Sequence, residues 1–272
     1  MNKIQQKAED RLVDEISTQL ANQAIKPIDA FMDSLFAASY EQETGERYNP
    51  EDNARMAEYI NGMLGEATLS DSYSFNYILS VETTDFGSKE TNDMTLLIST
   101  ESDIFGLEQE DDGKKMRIVF DNENKTMASY DLEKNEVFAF PLNTYMVSAF
   151  SQMGNEELDD KYKVDVTKLN KSKKILGYHS EAYKIESEES QSDVYISTEV
   201  PFTWEESFGT MMRQFAANFY RENEDFIIDG MLMEAKTIRK SDEKSSIWKT
   251  KKIENTTLKI DNSSYQRSQY GQ

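Results

Sequence analysis

The chain contains no cysteine. Thiol nucleophiles, cysteine-held zinc or iron–sulfur centres, disulfides and the acylated cysteine of a lipoprotein are therefore excluded from the sequence given. Histidine is nearly absent, with His179 the single one. Serine or cysteine hydrolysis needs an imidazole beside the nucleophile. Ser180 adjoins His179, but neighbours on a strand point to opposite faces, so the pair cannot cooperate directly and a structural or exposed histidine is expected. The 11 glycines are scattered, with neither G-x-G-x-x-G nor G-x-x-x-x-G-K-[ST] to cradle a phosphate. No run approaches the roughly 18 apolar residues that a membrane-crossing helix requires. Met1–Arg11 lacks the apolar core of a signal peptide, which predicts either a cytoplasmic protein or a mature or trimmed form. Positive charge is also short. Thirty Lys+Arg against 51 Asp+Glu leave a formal net charge of −21, which repels phosphate backbones and anionic membranes and excludes nucleic-acid binding.

What is present is enough for a folded chain. Aromatics make up 11 % of the 272 residues, and 13 methionines can fill gaps in a core. Residues 3–40 place apolar side chains at Ile4, Ala8, Leu12, Ile16, Leu20, Ala24, Ile28, Met32 and Phe36. Steps of four make the stripe drift by about 40° each on a helix of 3.6 residues per turn, which predicts an amphipathic helix wrapping over something else. Pro27 kinks it or starts a second helix. Asn49 and Pro50 offer a cap and first position for a short helix through Met56, Ile60, Met63 and Leu64.

From about residue 72 the period changes to two. Tyr73, Phe75, Tyr77, Leu79 and Val81 alternate with mostly polar residues, which predicts a strand with one apolar face. Further strands are expected at 94–100, 103–108, 116–120, 126–131 and 136–140, joined by the turn-prone Asp121–Asn124 and Leu132–Asn135. Others follow at 173–175, 181–186, 193–197, 228–239, 245–253 and 257–261. Between them Trp204, Phe208, Met211, Met212, Phe215 and Phe219 fall at helical spacing after Pro201. About ten short strands and a few helices predict an α+β fold.

The acidic clusters at 108–112, 121–123 and 156–160 are expected as solvated loops. Asp121–Thr126 puts Lys125 where a calcium ligand belongs and lacks the turn glycine. No metal, cofactor or catalytic residue is predicted. A carboxylate hydrolase would need two convergent acids, which no motif supports. The apolar features are more specific. Tyr73, Phe75 and Tyr77 of the sheet, facing Phe208, Met211, Met212 and Phe215 of the helix, would line a cavity for a lipid or other apolar ligand; the alternative is a helix that simply covers core.

Two blocks resemble a known family. One is Met116-Arg117-Ile118-Val119-Phe120-Asp121 with Lys125-Thr126-Met127, Tyr130-Asp131 and Lys134; the other is Lys174-Ile175-Leu176-Gly177-Tyr178-His179-Ser180-Glu181-Ala182-Tyr183, followed by Val194-Tyr195-Ile196-Ser197 and Pro201. Over about 70–265 the chain resembles a bacterial envelope family of unknown function, related in fold to the lipoprotein carriers LolA and LppX. Ser180 stands where many relatives carry cysteine, so no thiol role transfers. The resemblance implies a curved antiparallel half-barrel with helices in its concavity, export to the periplasm or outer envelope, and no catalytic residues. The expected organisation is a helical segment at 1–68, a half-barrel at 69–266 and a frayed tail at 267–272. The expected function is a non-enzymatic envelope protein that binds a lipid or apolar ligand. The alternative is an interaction or structural module with a packed interior, reaching an envelope partner through the 3–40 helix.

Overall fold

A computed structural model describes residues 67–84, 86–89, 91–111, 114–141, 164–204 and 230–268. Twelve strands follow in chain order: β1 (Ser72–Thr84), β2 (Thr91–Ile98), β3 (Ile104–Asp111), β4 (Lys114–Asp121), β5 (Thr126–Asp131), β6 (Glu136–Pro141), β7 (Asp165–Ile175), β8 (Tyr178–Glu186), β9 (Ser190–Ser197), β10 (Met231–Arg239), β11 (Ser245–Asp261) and β12 (Gln266–Arg267). They form one sheet in the order β12-β6-β5-β4-β3-β2-β1-β11-β10-β9-β8-β7. Every pairing is antiparallel except β12 with β6, which is parallel.

The α+β expectation is corrected here. The described residues build an almost purely β structure, with a 3-10 turn at Asn262–Ser264 and no complete α-helix. No helix occupies the concavity among them. The physical reason lies in strand length and continuity: β1 runs 13 residues and β11 runs 17, and each described strand hydrogen-bonds to its neighbours, so the sheet satisfies its own backbone. The amphipathic segment at 3–40, the short helix at 50–64 and the 205–219 stretch lie outside the described residues.

Turn chemistry sets the meander. Lys125 (φ 50°) and Asn135 (φ 54°) take left-handed positions in the two short connections around β5. Asp121 and Asp131 clamp these turns from their first residues: Asp121 accepts the Asn124 amide at 2.9 Å, and Asp131 accepts the amides of Glu133 and Lys134 at 3.0 Å. Leu176 and Gly177, both at positive φ, turn β7 into β8.

Curvature follows from one short connection. β11 and β12 stand seven strand spacings apart in the sheet order, about 34 Å if the sheet were flat. Yet only four residues separate Asp261 from Gln266, and the five steps between them reach about 18 Å at most. Strands β1–β6 must therefore curl until the end of β11 meets the β6 edge. Two register shifts in the β1–β11 pairing, between Phe75 and Tyr77 and between Ser80 and Val81, supply the added twist. Strands β10, β9, β8 and β7 extend beyond the curl as a wing.

The centre of the sheet is buried on both faces. Leu97, Gly106, Val119 and Ala128 are register partners on one face; Ile98, Phe105, Phe120 and Met127 are partners on the other, and all eight are buried. The first face belongs to a cluster with Tyr73, Phe75, Ile104, Tyr130, Val137 and Ile260 inside the curl. Gly106 is needed for its closeness: an added Cβ would lie 2.9 Å from Leu97 Cβ. An apolar face on one side only, as strand alternation predicts, is thus not what the central strands present.

Candidate functional site

The structure separates the three sheet residues expected to line a cavity. Tyr73 and Phe75, each 2 % exposed, are packed in the curl with Leu97, Tyr130 and Ile260. Tyr77 pairs with Ile98 on the opposite face, and its ring lies 4.9 Å from that of Phe202. The register shift between Phe75 and Tyr77 divides them. Beside it Asn76 clamps the loop after β2, its side-chain amide donating to Thr100 Oγ1 (2.6 Å) and its carbonyl accepting the Thr100 amide (3.0 Å). Phe208, Met211, Met212 and Phe215 lie outside the described residues.

Two groups of side chains emerge that sequence patterning did not bring together. The first is aromatic. Tyr77 and Phe202 meet as above, and Trp204 packs edge-on to Trp248 with ring centroids 5.6 Å apart. Trp248 pairs with Thr83 of β1 and Ala235 of β10, so this strip crosses the middle of the sheet on the face of Ile98. The Val200–Trp204 segment is held over it by the Trp204 amide, which donates to Gly230 O at 2.9 Å. Gly230 has φ 129°, and a Cβ there would fall 2.7 Å from Ser197 O, so only glycine fits. The Trp248 indole N–H is buried without a hydrogen-bond partner among the described residues.

The second group is polar and closes the curl. Asp121, 1 % exposed, accepts from the Asn124 amide at one oxygen and from Asn124 Nδ2 (2.7 Å) and Ser70 Oγ (2.9 Å) at the other. The expected solvated position of Asp121 is corrected: its carboxylate organises the β4–β5 turn and anchors the segment entering β1. Thr126 Oγ1 donates to Thr68 O, and Asn262 Nδ2 donates to Ser70 O. Asn262 Oδ1 accepts the Tyr130 hydroxyl at 2.6 Å, and the Tyr130 ring packs edge-on against Tyr265. Asp261 accepts the hydroxyl and amide of Ser263, which hold its carboxyl below the usual carboxylate range. Burial pushes the Tyr130 hydroxyl well above its ordinary range; burial, then the nearby Asp121 carboxylate, does the same for Tyr73. The two phenols are held neutral, which leaves them unsuited to proton transfer near neutral pH.

His179 is exposed while Ser180 is fully buried, so the two point to opposite faces as expected. Among the described residues no group of three or more acidic or histidine side chains could hold a metal, and no helix is long and apolar enough to cross a membrane.

The family described as a domain of unknown function (DUF4412) matches residues 75–265, which bears out the resemblance drawn over 70–265. No curated protein matches the chain. Among solved structures, PNGF-II is 14 % identical with a TM-score of 0.34, the match covering 71 % of this chain and 31 % of that one. A chain of the Pseudomonas aeruginosa MucA/MucB complex is 7 % identical with a TM-score of 0.40, covering 70 % of this chain and 55 % of that one. A putative outer membrane lipoprotein-sorting protein domain from Vibrio parahaemolyticus is 10 % identical with a TM-score of 0.19, covering 79 % and 97 %. The chain spans about a third of the length of PNGF-II.

Proposed function

The chain belongs to the DUF4412 family, a family of unknown function, and from that premise we propose that it is a non-enzymatic protein of the bacterial envelope that works by binding a protein partner. The observation that carries this reading is the burial of Tyr73 and Phe75 in a packed cluster, where an apolar-ligand carrier would need them lining an accessible cavity. The family resemblance supports the envelope location. The competing reading is an apolar-ligand carrier, and its support is the strip formed by Tyr77, Phe202, Trp204 and Trp248.

One experiment separates the two. Both tryptophans of the chain lie in that strip, so intrinsic fluorescence reports on it directly. Purified protein is titrated with a long-chain fatty acid and examined by native mass spectrometry. A partner-binding module gives no co-purifying lipid and no saturable change in tryptophan emission. Saturable one-to-one quenching, or a lipid retained through purification, overturns the reading in favour of the carrier.

A further inference from the structure

The two edges of the sheet differ. On one side β12 lies along β6, and the Ser268 amide bonds to Val137 O. On the other side β7 pairs with β8, and no described residue pairs with its outer edge. An unpaired edge offers a row of backbone donors and acceptors to any extended chain that reaches it.

The charge of this edge is opposite to that of the molecule. β7 carries Lys168, Lys171, Lys173 and Lys174 against a single Asp165, in a chain whose net charge is −21. Lys168 pairs with Glu181, and Lys173 pairs with Glu234 at 2.7 Å while its ammonium sits 3.8 Å from the Tyr195 ring centre. Lys171 and Lys174 are exposed, with no acidic partner among the described residues. The two exposed large hydrophobic residues of the described structure flank these lysines: Val166 on β7, 48 % exposed, and Leu176 at its turn, 46 % exposed. Among the described residues the edge therefore presents unpaired backbone, a basic centre and an apolar residue at each end.

We propose that the outer edge of β7 is the docking edge for an extended acidic segment of a partner protein, which adds to the sheet as a further strand. This deepens the partner-binding reading and rests on it. Backbone hydrogen bonds to the added strand supply affinity, and side-chain complementarity supplies selection. Lys171 and Lys174 favour carboxylates at the centre, while Val166 and Leu176 favour apolar residues toward the ends. A second copy of this chain is the wrong occupant for the same edge. Antiparallel pairing of β7 with β7 would set the run from Lys168 to Lys174 against its own copy, and facing like charges oppose pairing. Edge lysines ordinarily serve only to prevent self-pairing. In a strongly acidic chain they also make this edge the place where an acidic strand is drawn in. The shift in the β7–β8 register between Lys168 and Ser172 divides the edge into two regular halves, so the added strand is expected to bond on either side of it.

The test uses the full chain and a fluorescein-labelled peptide of about ten residues alternating Glu with Val and Thr, read by anisotropy. The control peptide carries Lys in place of Glu. The acidic peptide is expected to bind saturably, and the Lys peptide not at all. Binding weakens as NaCl rises from about 50 to about 500 mM, and affinity falls by roughly tenfold or more in Lys171→Glu/Lys174→Glu. Both lysines are exposed, so the variant's unchanged circular dichroism and thermal midpoint confirm that it is folded. Hydrogen exchange slows on peptide binding within 165–175 and not at the β6 edge. Three results each overturn the proposal: no saturable binding, equal affinity in the charge-reversed variant, or concentration-dependent self-association that the variant abolishes, which would assign the edge to a second copy. The fatty-acid titration is independent of this assay. Failure of the peptide with no fatty-acid binding removes the β7 assignment alone, whereas fatty-acid binding removes the partner-binding reading itself.

Discussion

At the residue scale, the polar groups that matter are those the fold has buried. Asn262 ties its own segment to two others: its side chain accepts from Tyr130 of β5 and donates to Ser70 O ahead of β1, and its backbone amide donates to the neighbouring Asp71 O. Asn262→Ala leaves the Tyr130 hydroxyl and the Ser70 carbonyl without partners in a buried setting and is expected to cost about 2–4 kcal/mol, read by urea denaturation. Tyr130→Phe is expected to cost less, because it strands only the Asn262 carbonyl. If the two losses simply add in the double variant, the Tyr130–Asn262 bond is not the link described here. Neither residue was legible as a tie from sequence: Asn262 reads as a turn residue, and its partner Tyr130 lies 132 positions away. Asp121 is similar. Its neighbours mark a turn correctly, but the same local pattern suits a solvated carboxylate, and only the approach of Ser70 from outside the hairpin buries it.

At the element scale, legibility followed side-chain alternation. β5 occupies the predicted 126–131, because its turn signals and hydrophobic run agree. β11 was expected as two strands and is one, since its register shifts interrupt the alternation without interrupting the pairing. β7 was expected only at 173–175. Its first eight residues, DVTKLNKS, have no alternating pattern, because an edge strand exposed on both faces buries nothing that would impose one. The predicted α+β architecture took its helices from apolar spacing at 3–64 and after Pro201, almost all of it outside the described residues, whereas the described period-two segments pair into one continuous sheet. The parallel strand β12 is the element that holds the curl shut, through β6, the Tyr265 ring on Tyr130 and the Arg267 guanidinium on Ala67 O. Deleting residues 263–272 is expected to lower stability by about 2–4 kcal/mol. Amide exchange should rise across Glu136–Pro141, measured by mass spectrometry. Unchanged protection of that strand would mean the curl closes without the strap.

At the scale of the whole molecule, charge and burial are distributed unevenly. Residues 67–141 contain 16 acidic and 6 basic residues, a net of −10, whereas β7 alone carries +3. The curl also contains two tyrosine hydroxyls, Tyr73 and Tyr130, whose pKa values lie well above the ordinary value of about 10. A raised pKa means the folded state favours the neutral phenol. Their contribution to stability is therefore complete below about pH 10 and is lost as pH rises toward the folded values. Absorbance at 295 nm is expected to show these two of the 14 tyrosines ionising only together with cooperative unfolding. In Tyr73→Phe, which removes one of the two buried phenols, the alkaline loss of stability should be smaller. A tyrosinate titration complete before unfolding would place both hydroxyls in contact with water.

The sequence by itself determined the chemistry that is excluded, the β character of residues 72–141, most strand positions beyond 178, and the family. Each of these is carried by residue type or by local period, which a single chain displays without reference to distant contacts. Only the tertiary structure decided that Tyr73 and Phe75 part company with Tyr77. It alone decided that the central strands are buried on both faces, that β12 returns to β6, and that β7, with a charge opposite to the whole, has no outer partner strand among the described residues. Those features depend on which strands become neighbours, and neighbour choice is settled by closure of the curl through contacts up to 200 positions apart, a distance over which local pattern carries no information.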